Sequence, residues 1–498
     1  MRTLTSTFVM MLISSGAGGA QTQRPPRPAA DTLVAIVGAT VIDGTGAAAV
    51  SDATIVVRGK RIAAIGPRAS VRVPAGARVV DGTGKFATPG FIDTNVHLSL
   101  YNNGESMVRY EDRFLDIVVE AAQTELKYGI TTVRDSYGAL VPLVAIRDSI
   151  AKGKLLGPRM LVAGNIVGWG GPKSPLFSNA TPTTYFDERM MYFIAQGAGE
   201  ELLEMPPDSL RVAIDKYLDK GPNFVKYGGT AHTNNLITFS PRQQEALVEE
   251  VHKRGLFAET HSTNPEPLRI SVLAGIDLIQ HPEVHNVPIP ADLVKLIVDR
   301  KVICSILSNS ITGKPWKDYL KAQQRTDSAR ADSLKNDSLK SMGRPKTGWE
   351  LRREREAKRP AVRRANAEAL IKGGCITTPS TDTYLSGAPE FSRTPRADAH
   401  LMPGTATLAA IEGLVELGMT PAQALVAATK NGAVASQGLK DFGTLEAGKY
   451  ADILLLDADP LADIHNIRKL SFVMKEGRVI DRGRLPEKPV WTTKAAMP

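Results

Sequence analysis

The sequence predicts an α/β protein: a (β/α)8 barrel of the TIM type with a small β-sandwich domain formed by its N- and C-terminal segments. Three observations carry this expectation. Short β-branched segments alternate with amphipathic helical stretches through the middle of the chain. Both ends read instead as short strands punctuated by turns. At 498 residues the chain exceeds one average domain and suits a barrel with a smaller partner.

The first twenty residues stand apart. Arg2 gives a positive start, Phe8 to Ile13 is apolar, and Gly16 to Ala20 supplies small residues. This pattern predicts a secretory signal peptide cleaved near Ala20, hence a secreted or periplasmic protein. Residues 21–32, rich in proline, read as a linker. Strands follow at Val34–Val37, Thr40–Asp43, Ala53–Arg58, Arg61–Gly66 and Arg78–Asp81, so residues 33–88 form one part of the β domain. Residues 438–485 repeat that texture at Ala451–Leu456, Ile467–Met474 and Arg478–Ile480, ahead of a tail at 486–498.

The barrel should occupy residues 89–437. Its strands are expected at Gly90–Asp93, Thr131–Asp135, Arg159–Ala163, Phe224–Tyr227, Leu256–Thr260, Asp277–Gln280, Val302–Leu307 and Ile376–Ser380. Helical periodicity marks Phe114–Tyr128 and Arg242–Arg254 between them. Residues 312–364 interrupt this rhythm. They are polar and charged, and read as a partly helical, solvent-exposed insertion after the seventh strand, or as a lid over its mouth.

The net charge is +9. Between Ile311 and Ala365 there are 16 Lys and Arg against 7 Asp and Glu, which accounts for the whole excess. The remainder is near neutral, so the charge does not predict nucleic-acid binding. No run of 18 apolar residues follows the N-terminus, and no stable membrane anchor is expected. The two cysteines, Cys304 and Cys375, fall in apolar strand segments, and two buried free thiols are the expected state.

In a barrel the chemistry sits at the C-terminal ends of the strands. The first strand runs into Asn95 and His97, the fourth carries Lys226, the fifth ends at His261, the sixth at His281, and the eighth reaches Asp382. Ionisable groups at five strand ends suit a metal centre with open positions, where hydrolysis needs an activated water beside a polarised carbonyl.

The segments PGFIDTNVHL (89–98), NFVKYGG (223–229), AETHS (258–262), GIDLIQHPE (275–283) and STDT (380–383) follow in order, as do GMTPAQALVAATKNGA (418–433) and GTLEAGKYADILLLDADPL (443–461). Together they resemble the amidohydrolase superfamily, in its imidazolonepropionase-like and prolidase-like branch. The resemblance covers residues 33 to 485. It implies that His97 binds one metal, that Lys226 is carboxylated and bridges two, and that His261 and His281 hold the second. It also implies that Asp382 binds the first metal and serves as general base. Zinc is the default, with other divalent ions open. The family places His-x-His after the first strand, and here Asn95 stands in its first position. That leaves three outcomes open: a binuclear site with one weakened metal, a mononuclear site, or a non-catalytic binding protein. Tyr227, His232 and His285 are candidate substrate contacts.

The expected reaction is hydrolysis of a small-molecule amide, a dipeptide or N-acyl amino acid, with a cyclic amide or imidazolone as the alternative. A free carboxylate on the substrate gains weight if the basic insertion or an Arg near the pocket faces the site, with Arg352 and Arg353 as the positions whose charge reversal tests it. A homo-oligomer is expected by analogy with relatives.

Overall fold

The computed structural model describes residues 33–99, 113–170, 194–232, 236–336, 348–384 and 402–490. The expected signal peptide and linker lie outside the described residues.

The N-terminal strands are β1 (Leu33–Val41), β2 (Val50–Arg58), β3 (Arg61–Pro67), β4 (Arg78–Asp81) and β5 (Phe86–Pro89). Val34, Ile36, Ile55 and Val57 alternate into one core, the period-two signature of a half-buried strand. The two short strands expected at 34–37 and 40–43 run as one. Its register shifts on either side of Ala39, next to Gly38 at φ 84°. A Cβ at Gly38 would meet Thr83 Oγ1 at 2.8 Å, so this bend needs glycine.

The middle of the chain carries β6 (Phe91–His97), β7 (Ile130–Asp135), β8 (Arg159–Val162), β9 (Ile166–Val167), β10 (Phe224–Gly228), β11 (Phe257–His261), β12 (Leu278–Gln280), β13 (Ile303–Ile306), β14 (Ile376–Pro379) and β15 (Thr383–Tyr384). Each of the eight expected barrel strands overlaps one of these. They form two parallel sheets, ordered β14-β13-β12-β11-β10-β9 and β15-β6-β7-β8. Parallel strands need crossovers, and here these include α1 (Phe114–Lys127), α2 (Leu140–Ala151), α3 (Pro207–Leu218), α4 (Pro241–Lys253), α5 (Pro265–Leu273) and α6 (Ala291–Asp299). Helix α4 starts where its sequence says it should. Ser240 and Gln243 form a capping box, with Pro241 at the first helical position.

The charged insertion is two helices, α7 (Gly313–Asn336) and α8 (Gly348–Lys372). The end of α8 is not solvated surface. Ala367 and Leu370 are fully buried, and Asn366 Nδ2 donates to the Glu283 and Val287 carbonyls. A helix α9 (Thr405–Glu416) follows.

The C-terminal strands are β16 (Ile453–Leu456), β17 (Leu470–Lys475) and β18 (Arg478–Val479). They join the N-terminal strands in one eight-stranded sheet, because β16 pairs antiparallel with β5. The strand expected from Ile467 begins instead at Leu470. Residues Ile464–Arg468 form a 3-10 turn capped by the Asp463 carboxylate, and this turn buries Ile464 and Ile467.

The cysteines correct a sequence expectation. Cys304 in β13 and Cys375 just ahead of β14 form a disulfide rather than two free thiols. Adjacent parallel strands hold their Cα atoms 6.2 Å apart, within bonding reach.

Candidate active site

Side chains from the two parallel sheets meet between them. Arg134 of β7 donates to Glu259 of β11 at 2.6 Å, and neither side chain is more than 1% exposed. Gln280 of β12 donates to Glu259 Oε1, Ser136 Oγ and the Thr94 carbonyl. Thr94 Oγ1 in β6 contacts Ser305 Oγ at 2.7 Å and Thr378 Oγ1 at 2.8 Å, reaching β13 and β14. These buried polar layers form a floor.

Above it stand the residues expected to carry chemistry. Asn95 and His97 are on β6 and Lys226 on β10, while His261 ends β11. His281 directly follows β12, and Asp382 lies between β14 and β15. Both His281 and Asp382 have positive φ, 40° and 52°. Left-handed backbone at non-glycine residues costs about 1–3 kcal/mol each and collects where geometry serves function. All but Asp382 are at most 5% exposed, so this is a buried polar cluster.

The cluster has two close pairs. His97 Nε2 donates to Asp382 Oδ1 at 2.7 Å, and Asn95 Nδ2 donates to the same oxygen at 3.1 Å. His261 Nδ1 and His281 Nε2 lie 3.1 Å apart. Lys226 and Asp382 interact electrostatically with both pairs. Burial raises the Asp382 carboxyl, but His97, His281 and Lys226 together outweigh it and hold the group well below its ordinary range. Burial depresses His261 well below its ordinary range and His281 to about 3. Burial likewise pulls the Lys226 amine down, against the carboxylates of Asp382, Glu259 and Asp135. Asp135 is pushed up to about 8 by burial and accepts from the Leu98 N–H.

These residues fit a divalent ion. His261 Nε2, His281 Nδ1 and Asn95 Oδ1 are buried with no hydrogen-bond partner among the described residues. An unsatisfied buried polar atom costs about 1–3 kcal/mol, and metal ligation is the chemistry that these atom types share. Neutral imidazoles and an ionised carboxylate are also the protonation states a metal requires. Among the described residues the His, Cys, Asp and Glu donors converge in twos and not threes. Any ion held at one point therefore draws on Asn95 or Lys226, or on ligands moving together.

The candidate substrate contacts divide. Tyr227 is corrected. It sits next to Lys226 on β10, so it faces the other way, toward α4, where its hydroxyl donates to Gln244 Oε1. His232 is exposed and its ring lies 5.6 Å from that of His261. His285 is fully buried, and burial lowers it to about 4.

Two further features complete the site. Trp169 walls the site, edge-on to His261 at 5.3 Å, and Tyr137 continues that wall to His97 at 5.9 Å. A Cβ on Gly228 would sit 2.1 Å from Trp169 Nε1, so the KYGG motif needs its first glycine to admit the indole. Glu283 and Arg363 are the second feature. Arg363 Nη2 in α8 donates to Glu283 Oε1 at 3.3 Å and Ser310 Oγ at 3.0 Å, at the ends of β12 and β13. The HPE motif and the 363–366–370 stripe of α8 were their only signals.

Residues 86–480 match the amidohydrolase family model. An imidazolonepropionase from Brevibacillus brevis is 22% identical over 82% of this chain and 84% of its own length. One from Shouchella clausii is 33% identical over 122 residues, and the chain spans about a quarter of its length. Molinate hydrolase is 30% identical with a TM-score of 0.78, covering 94% of this chain and 98% of that one. Phenylurea hydrolase B is 30% identical with a TM-score of 0.80, covering 94% and 100%. A Xaa-Pro dipeptidase, 18% identical with a TM-score of 0.69 over 90% of this chain and 99% of that one, shares the fold.

Proposed function

Because the chain belongs to the amidohydrolase family, we propose that it hydrolyses the C–N bond of a dipeptide or N-acyl amino acid. Asn95, His97, Lys226, His261, His281 and Asp382 would hold one or two divalent ions, zinc foremost. A bound ion supplies Lewis acidity, which polarises a carbonyl and acidifies a water. The observation that carries the reading is Asp382: an ionised carboxylate, hydrogen-bonded to His97 and Asn95, in electrostatic contact with His261, His281 and Lys226.

Asp382 takes the water's proton and returns it to the leaving nitrogen. His97 and Asn95 hold the carboxylate in place through Oδ1. Lys226, kept toward neutrality by burial, is able to add carbon dioxide. The resulting carbamate has lone pairs that an ammonium lacks. Trp169 and Tyr137 exclude bulk water on one side. We take the two facing parallel sheets as one (β/α)8 barrel, supported by the Arg134, Gln280 and Thr94 contacts that span them. Export to an oxidising compartment is supported by the Cys304–Cys375 disulfide.

Elemental analysis of the native protein beside Asn95→His, with turnover on a dipeptide panel, tests this. Asn95 Nδ2 is committed to Asp382, so Oδ1 alone remains for a metal. About one metal per chain in the native protein, rising to two in the variant, would establish a mononuclear site. Metal without turnover on any amide, cyclic amides included, would leave the binding-protein reading in its place.

A further inference from the structure

The core-facing stripe of α8 carries more than packing residues. Asn366, Ala367 and Leu370 lie on it and are buried. One turn earlier is Arg363, and one turn earlier again is half-buried Arg359, so both guanidiniums project on the stripe that meets the fold. Arg363 is 17% exposed and touches fully buried Glu283, two residues beyond His281. It also acts electrostatically on His281 itself. Among the described residues Arg359 has no hydrogen-bond partner for its buried Nε. Its electrostatic neighbours are Arg363, which repels it, and Glu356, which attracts it. The Arg363 Nε is likewise buried without a partner among the described residues.

Two guanidiniums thus sit four residues apart, Arg363 alone of the two on a buried carboxylate, with a buried Nε left without a hydrogen bond on each among the described residues. Like charges at this spacing destabilise a helix, and burying an unpaired charge costs more. A planar anion between them would offset both penalties, since guanidinium matches carboxylate in a fork of parallel hydrogen bonds.

We propose that Arg359 and Arg363 form a carboxylate-binding subsite at the mouth of the active site, which selects amide substrates bearing a free carboxylate. This rests on the amide-hydrolase reading and gives its substrate a required charged end. The insertion supplies the site through these two residues, whereas Arg353 is exposed to solvent.

The test is binding, kept separate from turnover. A pseudodipeptide whose scissile amide is replaced by CH2–NH is titrated calorimetrically into the metal-loaded full chain, as the free acid and as the C-terminal amide. The wild type should bind the acid about ten- to a hundredfold more tightly, the range for one or two charge-assisted hydrogen bonds. Arg359→Met and Arg363→Met should each erase most of that preference and leave affinity for the amide form unchanged. Arg359→Lys should restore part of it, which a folding defect would not do. Equal binding of acid and amide by the wild type, no binding of either, or a preference that survives both Met variants overturns the subsite. An acid preference that behaves as expected in a protein that cleaves no amide would keep the subsite and remove the proposed reaction. Amide turnover without acid preference would do the reverse.

Discussion

Asp382 concentrates the chemistry in a single carboxylate. Among the described residues it is the one acidic group in contact with His97 and Asn95 together, and it sits on left-handed backbone. Asp382→Asn keeps the size and the hydrogen-bonding reach but cannot hold a proton. It should lower kcat by about 10²–10⁴-fold while leaving the circular dichroism spectrum and melting temperature near wild type. Loss of folding with loss of rate would make the residue structural instead. Gly228 is the other residue whose identity is forced. Gly228→Ala would push a methyl into the Trp169 indole and should cost about 1–3 kcal/mol of stability, read by urea unfolding, with quenched or shifted tryptophan emission. Both positions stand in motifs visible in sequence. The indole that explains Gly228 is fifty-nine residues away, and no local pattern points to it.

A buried ion pair joins β7 to β11, and Gln280 ties β12 to the same carboxylate. Arg134 and Glu259 are almost without exposure, and Arg134 also donates to the Ala435 carbonyl and lies 3.8 Å over the Phe224 ring. Removing one partner strands a buried charge. Arg134→Met should therefore destabilise the protein by about 3–5 kcal/mol, and adding Glu259→Gln should recover part of that loss. A double-mutant cycle by chemical denaturation measures the coupling. Hydrophobic periodicity locates these strands well, because a buried parallel strand is a short apolar run whatever it pairs with. It says nothing of which inward polar residue meets which. The same blindness explains α8: a charge run predicts a solvated helix, but tertiary contacts carry its final turns into the core.

The whole molecule stores several neutral imidazoles in its interior, and that sets its acid limit. His281 has its ordinary value of 6.5 lowered to about 3, and His285 falls to about 4. The unfolded chain takes up these protons as pH drops through 6.5, while the folded chain does not. Stability is thus full above 6.5 and is lost as pH falls toward these lowered values. For each group the loss at pH 5 is about 2 kcal/mol. Protein stripped of metal by chelation should show this as a shift in the urea midpoint between pH 7 and pH 5. An unchanged midpoint would mean that these rings are hydrated. Reducing the Cys304–Cys375 bond, which closes a loop across 71 residues, should cost about 2–4 kcal/mol in the same assay.

What sequence alone determined was the order of strands and helices and the strand ends that bear Asn95, His97, Lys226, His261, His281 and Asp382. These are properties of local periodicity and of side-chain alternation, which a single segment carries within itself. Tertiary structure alone decided that Tyr227 turns away to α4, that the two thiols pair, and that His285 is buried. It also decided that Arg363 reaches Glu283, two residues beyond His281. Each of those outcomes depends on a distance between segments far apart in the chain, and distance between segments is fixed only when the core packs.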